Sequence, residues 1–439
     1  MNPFDRRDFL RQAAAGVGAA ASVSAPFARA AASQRAAPVR MGVIGCGGIA
    51  QLHLKGFTER SDARVDWLCD VDPEQIEQSQ KLLQSAPTGS RPKTTGSHAD
   101  VLADPAVDAV LIATPHHWHA PLALAAIAAG KDVYLEKPIS HVFDEGPLII
   151  DAARKHKRIV QQGSQMRSSP VTLQAEKVLR DGAIGDIKVA RAWTAEKRAK
   201  VEPRPDGEAP PRVDYDRWLG PAPKRPFNPL RFHQSWRLFS DYANGEIGDD
   251  GVHDIDMACW ALGVTELPVQ ITARGGTMML HGSAGDYPDN MSATFEFADG
   301  RLLVYESLPF TRYGMHGFDN GNVFYGTEGY MVFSRRGAFE TYLGPKSERG
   351  ATEDRSVRGE RGYPEHMTDF LNSVKTRQPP RARPEVAHIS CALVHLAEIA
   401  FRTAGRLRFD PAAGEFVDHD EANSMLSKHY REPYTLPKV

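Results

Sequence analysis

The sequence has few cysteines, no surplus of charge of either sign and no long apolar run. The four cysteines, Cys46, Cys69, Cys259 and Cys391, include no C-x-x-C pair. That excludes a zinc ribbon or a thioredoxin-type redox motif, and all four read as small buried residues. Formal net charge is −2, which lacks the basic balance of a nucleic-acid binder. The apolar run Ala13–Ala25 is too short and too alanine-rich to make a stable membrane span. No internal repeat is present, so a solenoid is excluded. What remains is an ordinary globular composition, 41% hydrophobic and 25% charged over 439 residues, enough for two large domains.

The first 33 residues stand apart. Asp5-Arg6-Arg7-Asp8-Phe9-Leu10-Arg11 carries paired arginines, the Ala13–Ala25 run follows, and Ala28-Arg29-Ala30 has the form of an A-x-A cleavage site. This arrangement resembles a twin-arginine signal. The resemblance implies export of an already folded bacterial protein to the periplasm through the twin-arginine machinery.

The most informative stretch is Arg40 to Phe57, RMGVIGCGGIAQLHLKGF. Met41–Ile44 reads as a buried strand, and Gly45-Cys46-Gly47-Gly48-Ile49-Ala50 fits G-x-G-x-x-A at the start of a helical pattern. That is the context of a dinucleotide fingerprint. Gly45 permits the tight turn, Gly47 lets the backbone approach a pyrophosphate, and Ala50 keeps the helix close to the strand. Gly48 and Ile49 lie at the helix N-terminus, whose free N–H groups attract phosphate. A second strand, Arg64–Cys69, ends on Asp70, placed to accept hydrogen bonds from the adenosine ribose. A carboxylate there repels a 2′-phosphate, so NAD is favoured over NADP.

Further strands read at Asp108–Ala113, Asp132–Leu135 and Arg158–Gln162, alternating with helices. The alternation predicts a doubly wound parallel sheet over residues 38–163. Thr114-Pro115-His116-His117-Trp118-His119 reads as a loop over the cofactor, with Thr114, Pro115 and His119 as contacts. Its three histidines lack the carboxylate or cysteine partners of a metal set, so no metal is expected. Glu136-Lys137-Pro138 closes the Asp132–Leu135 strand at its carboxyl end, where open α/β sheets place their ligands, so Glu136 and Lys137 face the cofactor. Residues 164–439 read as a second domain, α+β on a mostly antiparallel open sheet. A long Pro- and Arg-rich segment, Glu196–Tyr242, interrupts it, and its aromatics argue against disorder.

Gly245–Trp260 reads as a helix with two stripes. Val252, Ile255, Cys259 and Leu262 form a core face. Asp249, His253, Asp256 and Trp260 form a polar one. A carboxylate one turn before a histidine can orient the imidazole and stabilise its charged form. A solvated Asp–His face would show the same spacing.

Taken together, the glycine fingerprint, Thr114-Pro115, Glu136-Lys137-Pro138 and Asp249-x-x-x-His253-x-x-Asp256 resemble the Gfo/Idh/MocA oxidoreductases from Val39 onward. The resemblance implies a Rossmann domain followed by a substrate and oligomerisation domain whose open sheet face makes homo-oligomers. It also implies catalytic Lys137, Asp249 and His253, and a carbohydrate or polyol substrate. Arg231, His233, Trp236, Tyr242 and Asp256 are then the candidates for sugar contact. The extra Asp250 leaves open which carboxylate partners His253. Two other functions fit the same chain: NAD-assisted glycoside cleavage by transient oxidation and elimination, and non-catalytic sugar binding.

Overall fold

The computed structural model describes residues 37–84, 91–196, 198–233, 235–308, 313–353, 362–403 and 405–439. The expected signal over 1–33 lies outside them. The nucleotide-type half runs β1 (Val39–Ile44), α1 (Gly48–Thr58), β2 (Ala63–Cys69), α2 (Pro73–Gln84), β3 (Lys93–Thr95), α3 (His98–Ala103), β4 (Ala109–Ile112), α4 (His119–Ala128), β5 (Asp132–Leu135), α5 (Glu145–His156) and β6 (Val160–Gln162). Its six strands pair in parallel in the order β3-β2-β1-β4-β5-β6. The order reverses between β1 and β4, and a crevice opens there at the carboxyl ends of the strands. β1, β4 and β5 are almost wholly buried, which is why they read as continuous apolar runs rather than alternating ones. The polar Lys93–Thr95 strand carries no such signal and is legible only by its pairing to β2.

The second half continues with α6 (Pro170–Arg180), β7 (Ile187–Thr194), α7 (Tyr215–Leu219), α8 (Val252–Leu262), β8 (Gln270–Gly276), β9 (Asn290–Glu296), β10 (Leu302–Ser307), β11 (Asn320–Gly326), β12 (Gly329–Ser334), β13 (Ala338–Leu343) and β14 (Glu348–Glu353). It ends with α9 (Tyr363–Thr376), α10 (Pro384–Arg402), β15 (Arg406–Asp410), β16 (Glu415–Phe416) and α11 (Asp420–Ser424). The ten strands lie in the order β14-β13-β12-β11-β7-β10-β9-β8-β15-β16. Only the β7–β10 pair is parallel. The predicted α/β class with a mostly antiparallel second sheet is the observed one. α8 and α10 cover one face of this sheet, over buried Phe295, Tyr305, Phe324 and Phe333. α10 is long and apolar enough to cross a membrane by composition, but it is a mostly buried core helix packed on β8, α5 and α8.

One helix returns across the expected boundary at residue 163. α9 follows β14 of the second sheet in the chain, yet its Met367, Phe370 and Leu371 pack with Met41, Val43, Leu54 and Leu111 of the first half. The Phe370 ring meets Tyr134 edge-on at 5.7 Å. His366 is buried, its Nδ1 2.8 Å from the Ser168 hydroxyl and its Nε2 2.7 Å from the Gln162 carbonyl. The first sheet is therefore completed by residues some two hundred positions downstream. Phe370→Ala should cost about 3–5 kcal/mol of stability, the range for an emptied aromatic core site. A loss below about 1 kcal/mol in chemical denaturation would show that α9 does not close this core.

Candidate active site

A cavity of about 720 Å³ runs from the glycine loop to the first turn of α8. Gly45, Gly47, Gly48, Ile49, Asp70, Thr114, Pro115, Glu136 and Lys137 all line it. Gly45 has φ +87°, and a Cβ there would lie 2.7 Å from the Ala113 carbonyl oxygen, so glycine is obligatory at this turn. At Gly47 a Cβ would meet no protein atom within 4 Å. Packing does not demand glycine at Gly47, and its absence of side chain keeps the cavity floor clear for a pyrophosphate. Ala50 is buried behind the loop, as the fingerprint requires. These residues fit a dinucleotide.

At the ribose end, Asp70 Oδ2 accepts from the Cys46 N–H at 2.7 Å and Oδ1 from the Asp72 N–H at 2.9 Å. Burial pushes the Asp70 pKa up, and the two N–H donors act against that rise. Arg217, Trp218 and His233, all from the long 196–242 segment, line the same end. Within the segment Trp218, Leu219, Phe232, Trp236 and Tyr242 form their own apolar cluster.

At the other end, Lys137 Nζ donates to Asp249 Oδ1 at 2.7 Å and also to the Asp249 carbonyl oxygen. Arg237 Nε donates to the same Oδ1 at 3.1 Å and its guanidinium lies 4.3 Å over the Trp236 ring. Burial disfavours the ionised carboxylate, but Lys137 and Arg237 outweigh it and hold Asp249 below the usual carboxylate range. Asp250 turns to Arg198 at 2.6 Å and Arg335 at 3.0 Å. His253 lines the cavity and makes no hydrogen bond among the described residues. Burial, then Lys137 and Arg335, push its pKa well below 6.5, so the ring is neutral near pH 7.

This arrangement corrects the expected Asp249–His253 bond. Residues 247–251 form a π-turn, not the regular α-helix the stripes assumed. A wider turn breaks the i, i+4 alignment, so Asp249 is spent on Lys137 and Arg237, and neither acid bonds to His253. Four contact candidates are also relocated. Tyr242 is fully buried against Trp218 and His117. Arg231 pairs with Asp206 at 3.3 Å outside the cavity lining. Asp256 is buried in a two-bond pair with Arg167 at 2.7 and 2.9 Å. His233 lines the cavity but at the ribose end, 2.7 Å from Asp72. Trp236 lines the cavity, edge-on to His116 at 5.0 Å. His119 is buried off the cavity between two of its loops, its Nδ1 2.6 Å from the Pro138 carbonyl oxygen and its Nε2 2.9 Å from that of Thr114, and its one ring N–H donates to one of the two.

Several lining residues escaped the sequence reading, among them His116, Gln165, Arg237, Arg335 and Tyr363. Arg237 had a signal in its neighbour Trp236. Arg335 sits in the β12–β13 hairpin, where nothing local distinguishes it from a surface arginine. Among the described residues no cluster could hold a metal, and all four cysteines are free and buried.

Comparison with known proteins agrees with this geometry. An oxidoreductase-family model, NAD-binding Rossmann fold, matches residues 39–164. The same family's C-terminal alpha/beta domain matches 154–307 and 336–436. The chain is 24% identical to a myo-inositol 2-dehydrogenase of Thermotoga maritima over 383 residues, 86% of this chain and 100% of that one. It is 28% identical to a glycosyl hydrolase family 109 protein of Shewanella pealeana over 152 residues, 34% of this chain and 33% of that one. In fold it is similar to a levoglucosan dehydrogenase solved with NADH and levoglucosan, with TM-score 0.65, 21% identity, and 87% and 99% of the two chains covered. It is also similar in fold to an aldose-aldose oxidoreductase of Caulobacter crescentus solved with glycerol, with TM-score 0.66, 18% identity, and 85% and 100% covered.

Asp70 and Asp72 together make the ribose end hostile to a phosphate. A dinucleotide without a 2′-phosphate should bind at least about tenfold more tightly than one with it, roughly 1.4 kcal/mol. A fluorescence titration giving equal dissociation constants would overturn this assignment of Asp70.

Proposed function

The chain belongs to the Gfo/Idh/MocA oxidoreductase family, and on that premise we propose that it is an NAD-dependent oxidoreductase acting on a CH–OH group of a sugar, polyol or glycoside. The observation that carries this is one continuous cavity lined by the dinucleotide loop, Asp70, Lys137, Asp249 and His253. NAD bound there supplies a hydride acceptor. The protein's own part is acid–base and electrostatic. Neutral His253, with both ring nitrogens unengaged, takes the proton of the substrate hydroxyl. Lys137, fixed by Asp249, stabilises the developing alkoxide. Asp249 acts here as the positioner of Lys137 and not of His253.

His253→Ala and Lys137→Ala should each lower turnover by roughly a hundredfold or more, and His253→Ala should leave dinucleotide affinity unchanged. The depressed imidazole pKa keeps the base deprotonated until pH falls well below 6.5. Turnover should therefore hold level from pH 8 to 6.5. Near-normal turnover in His253→Ala, or an acid limb at pH 7, would remove His253 as the base.

The finer reading is that the cofactor stays with the protein between turnovers. The expected twin-arginine signal sends a folded protein to the periplasm, where no pool of free NAD is expected. Oxidation of one sugar is then paired with reduction of another, or is transient within one sugar. The 196–242 segment supports retention. It is tied across the ribose end by Arg212 to Glu77 at 2.6 Å, the Asp214 N–H to the Val71 carbonyl at 3.0 Å, Arg217 to the Gly96 carbonyl at 2.8 Å and His233 to Asp72 at 2.7 Å. His233 holds φ +56°, a conformation costly for a non-glycine residue. Homo-oligomers through the sheet face opposite α8 and α10 belong to the same reading. The match to a glycosyl hydrolase family 109 protein favours one second reading, glycoside elimination with no net change in NADH. Product analysis separates the two.

Protein purified from the periplasm should release nearly one NAD(H) per subunit on denaturation. His233→Ala should speed dinucleotide release by about tenfold or more. An empty protein that needs millimolar NAD would refute retention and leave the fold assignment intact.

A further inference from the structure

The substrate end of the cavity is rich in hydrogen-bond donors with nothing to donate to. Arg237 uses only Nε, on Asp249, and its Nη1 and Nη2 have no partner among the described residues. Arg335 uses Nη2, on Asp250, and its Nη1 has none. The Trp236 indole N–H is likewise without a partner among the described residues and lines the same space, as do the Gln165 amide and the His253 ring, each of which offers an acceptor as well as a donor. Against them stands one free carboxylate oxygen, Asp249 Oδ2.

The charges lean the same way. Asp249 is matched by Lys137 and Arg237, and Asp250 by Arg198 and Arg335. Glu196 stands farther off, 3.9 Å from both Arg198 and Arg335, and pairs with Arg336 at 2.6 Å, so these four cations face two acids in direct hydrogen bonds. Two further acids lie deeper, Glu246 on Arg198 at 3.1 Å and Asp254 at 3.6 Å from Arg335. Burial pushes Asp254 up to about 8 and raises Glu246 as well, so neither cancels a full positive charge near neutral pH. A neutral sugar would meet the guanidinium edges of Arg237 and Arg335 with hydroxyl oxygens, which accept single hydrogen bonds without charge; a carboxylate meets them with paired, charge-assisted ones.

We propose that the natural substrate is an acidic sugar or acidic glycoside, whose carboxylate is held by the free edges of Arg237 and Arg335 beside the reacting hydroxyl. This rests on the oxidoreductase reading and adds the substrate class. A planar carboxylate suits the guanidinium fork. A phosphate dianion fits less well, because Asp249 and Asp250 lie within reach of the same arginines. Arg237 is a substrate-specificity residue in this account and Arg335 its buried partner.

The test uses the NAD-loaded full-length protein with matched pairs: D-glucose and D-glucuronate, D-galactose and D-galacturonate, and D-glucose 6-phosphate. Nicotinamide absorbance reads single-turnover reduction, and calorimetry reads binding. The acidic member of a pair should show at least about tenfold higher kcat/KM and tighter binding. Arg237→Gln also loosens Asp249, so both members of a pair should lose activity, but the acidic one should lose at least about tenfold more in kcat/KM than the neutral one. Reduction by neutral sugars with none by their acids overturns the acidic-substrate inference and leaves the oxidoreductase reading standing. So does a preference for the sugar phosphate, or an equal loss on both members in Arg237→Gln. Silence from every sugar, with no binding, overturns both.

Discussion

The Lys137–Asp249 contact is the joint on which the rest of the site depends. Lys137 follows β5 of the parallel sheet, and Asp249 lies in the π-turn that leads into α8 above the antiparallel one. Each partner is largely removed from water, and a buried charge is tolerated only when paired and hydrogen-bonded. The pairing therefore aligns the carboxyl end of one sheet with the first turn of a helix carried by the other. It does so together with α10, which packs on α5 of the first half and on β8 and α8 of the second.

That joint also settles how charge is distributed around it. Asp249 and Asp250 are neighbours in sequence, and two adjacent buried carboxylates repel each other. Each is neutralised on its own side, Asp249 by Lys137 and Arg237, Asp250 by Arg198 and Arg335. His253 is left without a hydrogen-bonded anion of its own, and its burial first, then the cations beside it, disfavour its charged form. A neutral imidazole in contact with the cavity is the direct consequence. The arginines, in turn, keep donors to spare on the side that faces substrate.

The 196–242 segment does two jobs through one cluster of aromatics. Trp218 packs on Tyr242 at 4.9 Å, and Tyr242 on His117 at 5.2 Å, so the insertion is anchored on the loop after β4. From that anchor it extends Arg217 and His233 to the ribose end and Trp236 and Arg237 to the substrate end. Tyr242 thus serves the substrate end through packing rather than contact. The C-terminal tail is fixed against the same segment by Arg431, which donates to the Gly220 carbonyl at 2.9 Å and the Asp216 carbonyl at 2.7 Å, and to the first half by Lys428 on Glu145 at 2.8 Å.

By itself the sequence determined the dinucleotide half almost completely. Gly45, Gly47 and Asp70 are dictated by backbone turns and by one strand end, all within about thirty residues, and local physics suffices to place them. It also singled out Lys137, Asp249 and His253, because a strand end and a helical spacing mark them. Tertiary structure alone decided what those residues touch. A π-turn at 247–251 moved Asp249 from His253 to Lys137, and no periodicity count reveals a turn one residue wider than its neighbours. Asp256 went to the interior because Arg167, from a distant part of the chain, was there to receive it, and Tyr242 because Trp218 of its own segment folds back onto it. Arg335, from a hairpin eighty-five residues beyond Asp250, and the helix that completes the first sheet arrive by long-range packing. Such contacts depend on the summed burial of the whole chain, which no local stretch encodes.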